Sequence, residues 1–186
     1  MNKAKCVANL GVIIASSLLV SGCATHIRQP QSQPRPSTER FGTFDNVYYE
    51  NVVIAPDFAS STPNQRAAKR INEELISGLN NVFPGMHVVD RAPQSASGKN
   101  VVIRPQVIEI KFIGGAARFW VGAMAGSSAV LMRVDYIDMQ SGNILANPEF
   151  YRAASAHRGG MSMGATDNVM LTMIAQDIIT YTSSNR

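Results

Sequence analysis

The sequence predicts an α+β fold, a two-layer sandwich in which a mixed or antiparallel sheet of about five strands carries two helices on one face. Three observations lead there. A β-rich segment, an amphipathic helical stretch and a second β-rich segment open the folded part. Two long alternating stretches around a turn read as a hairpin. A second helical periodicity closes the chain, for an order β-α-β-β-β-β-α. The composition suits a packed body: 45% hydrophobic and 16% charged over 186 residues, with a mean hydropathy of −0.02. That composition excludes wholesale disorder, and a polytopic membrane protein is excluded because no window offers eighteen consecutive apolar residues.

Residues 47–56 (VYYENVVIAP) are β-branched and aromatic, end at a proline, and read as one buried strand. Thr62-Pro63-Asn64-Gln65 is a helix start, with a capping threonine, proline at the first helical position and glutamine at the capping-box position. Ala68, Ile71, Leu75, Leu79 and Val82 then repeat at helical spacing, and Pro84 and Gly85 end the helix. Residues 86–90 (MHVVD) form a short strand and 94–100 a polar loop. Residues 101–113 are long and β-rich; Pro105 inside them predicts an edge position or a bulge. In 127–139, Val130, Met132, Val134 and Tyr136 fall on one face and Arg133 and Asp135 on the other. Gln140-Ser141-Gly142-Asn143 is turn chemistry, and 144–157 returns as the next strand, interrupted by Pro148. Thr166 caps a final helix whose Met170, Met173, Ile174, Ile178 and Tyr181 share a face.

The first residues read as targeting. Lys3 and Lys5 precede an uncharged apolar run, 7–20, too short to span a hydrocarbon core of about 30 Å. It suits the apolar region of a secretory signal. Ser21, Gly22 and Cys23 follow. The order of positive start, apolar run and small-small-Cys resembles the bacterial lipobox, with Val20 where leucine is commoner. That resemblance implies a signal peptide over 1–22, cleavage between Gly22 and Cys23, and a Cys23 carrying diacylglycerol on its thiol and a fatty acid such as palmitate on its amine. Ala24, in place of the aspartate that retains such proteins at the inner membrane, implies the outer membrane, with the domain facing the periplasm. Removing 1–22 leaves 164 residues (186 less 22) and a formal charge of +2 (+4 less Lys3 and Lys5). The basic excess thus belongs mostly to the targeting segment, and a nucleic-acid partner is not expected. Cys6 leaves as well, so no intramolecular disulfide can form.

Residues 24–43, with Pro30, Pro34, Pro36, Gln29, Gln31 and Gln33, hold almost nothing apolar. From Cys23 to 43 we expect an acylated, flexible tether, of coil reach roughly 25 Å and near 60 Å at full stretch. The alternative is that part of it lies along the domain surface. The single domain is expected from 44 to 186.

Gly114, Gly115, Gly122 and Gly126 punctuate the segment 114–127 without the spacing of a phosphate loop. It reads either as a glycine-rich connection anchored by Phe119 and Trp120, or as an interaction surface for a partner or lipid formed by Phe119, Trp120, Gly122 and Gly126. Arg118, Gly122 and Gly126, followed by Leu131, Val134, Asp138, Ser141, Gly142 and Leu145, resemble an uncharacterised family of bacterial envelope lipoproteins with an α+β domain of unknown function. At the level of architecture alone, a lipidated sheet-and-helix domain is similar to ring-forming accessory lipoproteins of curli and exopolysaccharide export.

No catalytic pattern emerges. His26, His87 and His157 lack partners at a metal-ligand spacing, and no G-x-S-x-G elbow occurs. Asp135 and Asp138 point to opposite faces of a strand. An enzyme would need Asp57, Asp90 or His157 gathered in one cleft. Arg66, Lys69 and Arg70 read as a solvated face balanced by Glu73 and Glu74, or as a contact for anionic head groups. We therefore expect no enzyme, no cofactor and no metal, but an outer-membrane lipoprotein acting as a binding or assembly adaptor for an envelope component, through 114–127 or an exposed strand edge. An oligomeric subunit of a secretion or exopolysaccharide-export apparatus is the alternative, and a lipid or glycan carrier a lesser one.

Overall fold

A computed structural model describes residues 27–113, 128–154 and 165–186. A short 3-10 turn at Phe41–Thr43 precedes β1 (Asn46–Glu50), β2 (Val53–Ile54), the single-turn helix α1 (Pro56–Ala59) and the long helix α2 (Thr62–Val82). Then come β3 (His87–Val89), β4 (Asn100–Lys111), β5 (Ala129–Asp138), β6 (Ile144–Ala146), β7 (Glu149–Ala153) and the helix α3 (Ala165–Ser184). The sheet runs β3-β1-β4-β5-β6, with β2 pairing β4 beyond β1 and β7 pairing β5 beyond β6. It is mixed: β1 and β2 run parallel to β4, while β5 runs antiparallel to β4, β6 and β7. Both long helices cover one face, so the architecture is the two-layer α+β sandwich expected.

The core lies between those layers because the strand alternation and the helix stripes bury the same side. Val130, Met132, Val134 and Tyr136 are fully buried against Ile71, Leu75 and Leu79 of α2 and Met170, Ile174 and Ile178 of α3. Two polar groups enter this core with partners. The Tyr49 hydroxyl donates to Asn72 Oδ1 at 2.8 Å, and Tyr136 meets the Thr182 hydroxyl at 2.5 Å. Burial pushes both phenols far above their ordinary pKa. The turn after β5 has the expected chemistry. Asp138 accepts from the Gln140 N–H and the Ser141 hydroxyl, and Gly142 supplies φ +72°. Gly85, at φ +86°, turns the chain after α2.

Several elements differ from expectation for identifiable reasons. The single strand over 47–56 is split at Asn51 and Val52, because the Asn72 side chain of α2 takes the Val52 N–H at 3.0 Å. Tyr49 pairs with Ile103 and Val53 with Gln106, so β1–β2 spends four residues where β4 spends three. Pro105 is on a central strand, not an edge. The Val134 N–H goes to Pro148 O, away from β4, so Pro105, opposite Val134, turns its missing N–H toward the β1/β2 break. The β-bulge on the β5 side falls at Val107–Glu109. Helix α2 is capped at Ser61 with no side-chain cap bond, leaving Thr62 inside the helix. Asn64 instead ties its first turn to β4, donating to Ile110 O and accepting from the Phe112 N–H. The final helix starts at Ala165, so Thr166 lies within it, and Met173 faces solvent at 43% exposure. No described helix is long and apolar enough to cross a membrane.

Candidate functional site

The Pro/Gln-rich stretch provides the first part of the site. Residues 27–43 lie along the domain, the surface-bound alternative to a free tether, and Phe41 already belongs to the core. Ile27 is only 4% exposed and packs on Ala129 and Leu131, on the sheet face opposite the helices. Arg28 forks onto Glu149 at 2.8 and 2.5 Å, and its N–H donates to Glu109 at 3.0 Å. Further along, the Tyr181 hydroxyl donates to Arg35 O, Thr38 N–H to Leu145 O, and Ser37 N–H to Asn185 Oδ1. Phe41 is 1% exposed and stacks on Tyr136 with ring centroids 4.5 Å apart. Few apolar side chains are needed here, because those present, Ile27 and Phe41, are packed against the domain.

Residues 27–43 thus form a strap, which passes beside β7 without backbone pairing to it. Among the described residues, β7 is bonded on one side only, to β5. Ala154 N–H goes to Ser128 O and Pro148 O accepts from Val134, so the even residues of this strand face β5. The N–H and C=O groups of Glu149, Tyr151 and Ala153 therefore face outward. Strap, strand edge and α3 enclose a groove of about 690 Å³, lined among others by Gln31, Gln33, Tyr151, Arg152, Asp177 and Tyr181. The charged side chains that line it are paired. Arg152 forks onto Asp177 at 2.6 Å for both bonds, and Glu149 is held by Arg28. That hydrogen bond keeps Glu149 below the usual carboxylate range, and Asp177 raises the pKa of Arg152. A groove whose acids are all matched to guanidinium groups offers a ligand or strand fixed, oriented charge pairs.

The sheet face turned away from the helices carries a second polar array. Glu50, only 7% exposed, takes a fork from Arg104 at 2.5 and 3.1 Å and the Ala92 N–H at 3.0 Å. Burial opposes its ionisation, but the Arg104 hydrogen bond, the Ala92 N–H and the charges of Arg104 and Arg91 outweigh it, and its pKa is lowered. Arg133 lies beside Asp135 at 3.6 Å and donates to Gln106.

Of the residues singled out in the sequence, Gly22, Cys23, Phe119, Trp120, Gly122 and Gly126 lie outside the described residues, as do His26 and His157. The segment 114–127 joins the sheet through Ile113 and Ser128, at the end where Ile27 packs. Among the described residues, Asp57 borders a small cavity with Asn64 and Phe112 that Asp90 does not line, and Asp90 accepts from Asn51 at 2.8 Å. Lys69 and Arg70 pair with Glu73 and Glu74 along α2, as a solvated helix face does. Among the described residues, no group of three or more His, Cys, Asp or Glu side chains is placed to hold a metal ion. Among the described residues, strand edges without a neighbour occur at β3 and at β7. The strap residues Ile27 and Arg28 and the pair Arg152–Asp177 were not foreseen; the only sequence signal is an isolated Ile-Arg in a polar run.

Residues 52–160 match a family model described as "Domain of unknown function (DUF4410)". No curated protein matches the chain. Among solved structures, the PelC dodecamer from Paraburkholderia phytofirmans is similar at a TM-score of 0.44 and 15% identity, over 81% of this chain and 93% of that one. A Xanthomonas campestris protein of the DUF330 family model aligns at 0.45 and 10% identity, over 82% and 91%. A minor lipoprotein from Acinetobacter baumannii aligns at 0.39 and 13%, over 76% and 94%.

Proposed function

The chain belongs to the DUF4410 family, and we propose that it is a lipid-anchored, non-catalytic envelope protein, a periplasmic binding or assembly adaptor held at the outer membrane through Cys23. One observation carries this reading: Lys3 and Lys5, the apolar run 7–20 and Ser21-Gly22-Cys23 occur in the order a lipoprotein signal requires. Acylation would concentrate the domain at a bilayer, each buried methylene contributing roughly 0.8 kcal/mol. The paired charges of the groove favour recognition over catalysis. The outward N–H and C=O groups of Glu149, Tyr151 and Ala153 offer a partner a strand to extend. Replacing Cys23→Ser tests the anchor: the expected product is an unprocessed protein absent from the outer-membrane fraction, and normal processing and fractionation refute the reading.

A second reading, an oligomeric accessory subunit of an export apparatus, is favoured by the sheet being open, among the described residues, at both β3 and β7. The mass of the protein in mild detergent separates the two. A monomer fits an adaptor, and a closed ring of many copies fits an export subunit.

A further inference from the structure

We infer that the docked strap fixes which end of the domain meets the membrane: the sheet end holding Ile27, Ala129 and Ala153 rests against the lipid head groups, and the opposite end points into the periplasm. The inference rests on the proposed acylation of Cys23. Its own ground is the place where the strap begins. Ile27 is seated on Ala129 and Leu131 at the start of β5, and Arg28 is clamped to Glu109 and Glu149 beside it. From there the strap runs to the far end, where Thr38 reaches Leu145 and Phe41 reaches Asn185. Only four residue steps separate Cys23 from Ile27. At 3.3–3.6 Å per step they span about 14 Å at most. A wholly free tether would allow about 60 Å and any orientation. The docked strap removes both freedoms.

The two ends are far enough apart to be told apart. Ala153 pairs with Ala129 at the start of β5, whereas Ser141 lies in the turn beyond its far end. Ten residues of strand separate them, roughly 30 Å. With Ile27 within about 14 Å of the acyl anchor, the turn at Ser141 stands clear of the head groups. The groove along β7 then opens sideways, parallel to the bilayer, where a neighbouring membrane-bound protein can reach it.

The test uses the mature, lipidated protein in vesicles of phosphatidylethanolamine and phosphatidylglycerol carrying a nitroxide on the head group. Single labels enter through Ala153→Cys or Ser141→Cys, both at exposed positions. The expected result is strong quenching at position 153 and none at 141. A strap-release variant, Ile27→Asp with Arg28→Glu, should still bind vesicles but lose the difference between the two labels. Equal quenching at both positions in the parent protein, stronger quenching at 141, or a difference that survives strap release overturns the orientation. Failure of the parent protein to bind vesicles overturns the anchor itself, and the orientation with it.

Discussion

Phe41→Ala separates a strap from a tether by magnitude. In a solvated tether the ring touches nothing, and its removal changes stability by no more than about 0.5 kcal/mol. Here Phe41 is 1% exposed, stacks on Tyr136 at 4.5 Å with planes 10° apart, and sits in the cluster formed by both helices and the sheet. Truncating such a ring costs about 3–5 kcal/mol, from lost transfer free energy and the cavity left behind. For a domain of this size that is a drop of roughly 6–20 °C in Tm. Urea unfolding of the mature protein in mild detergent, followed by far-UV circular dichroism, measures it. Gln31→Ala, on the exposed part of the strap, is the control and should be neutral. Cleavage by trypsin after Arg40 should accelerate in the Phe41 variant, because that bond is held by the same packing. A loss below about 1 kcal/mol, far short of the cavity cost, would refute the reasoning and return residues 27–43 to the solvent.

Other expectations follow from the packing and the charges. A Cβ at Gly78 would lie 2.1 Å from Ile179 Cδ1. Gly78→Ala should therefore lose about 1 kcal/mol, because overpacking of about 1–3 kcal/mol exceeds the helix gain of about 1. Ile179→Val, which removes that methyl group but leaves Cγ1 at 2.9 Å from the new Cβ, should recover part of the loss in chemical denaturation. Arg104→Ala should cost more than Glu50→Gln, at about 1–3 kcal/mol. The first strands a buried carboxylate, whereas the second leaves a guanidinium that is 46% exposed and free to hydrate. Glu50 and Glu149 both have lowered folded pKa values. Their contribution to stability is complete above the ordinary carboxylate pKa and is lost as pH falls through the depressed folded values. The urea midpoint should thus be flat near neutrality and fall in acid, with a shallower acid limb in Glu149→Gln.

The legible parts of the fold are those where one side of an element is buried along its length. Helix α2 announces itself through Ile71, Leu75 and Leu79, and β5 through the alternation from Val130 to Tyr136, because periodic burial leaves periodic sequence. The turn after Asp138 is legible because its backbone needs particular side chains. What stayed hidden depends on single contacts made at a distance. The break after Glu50 is made by Asn72 on a helix, and Pro105 fits a central strand because that break lies opposite it. Ile27 and Phe41 are isolated apolar residues among prolines and glutamines, so no periodicity marks them as packed. The groove was legible only as a strand edge. Its ion pairs join residues 121 and 25 positions apart, which no local pattern reveals.

Mass spectrometry of the N-terminal peptide of the mature protein, extracted from the outer membrane, tests the lipid anchor most directly. The account predicts a chain that begins at Cys23, with a diacylglyceryl thioether on its sulfur and an acyl amide on its nitrogen. A mature chain that begins at any other residue, or an unmodified Cys23, contradicts it.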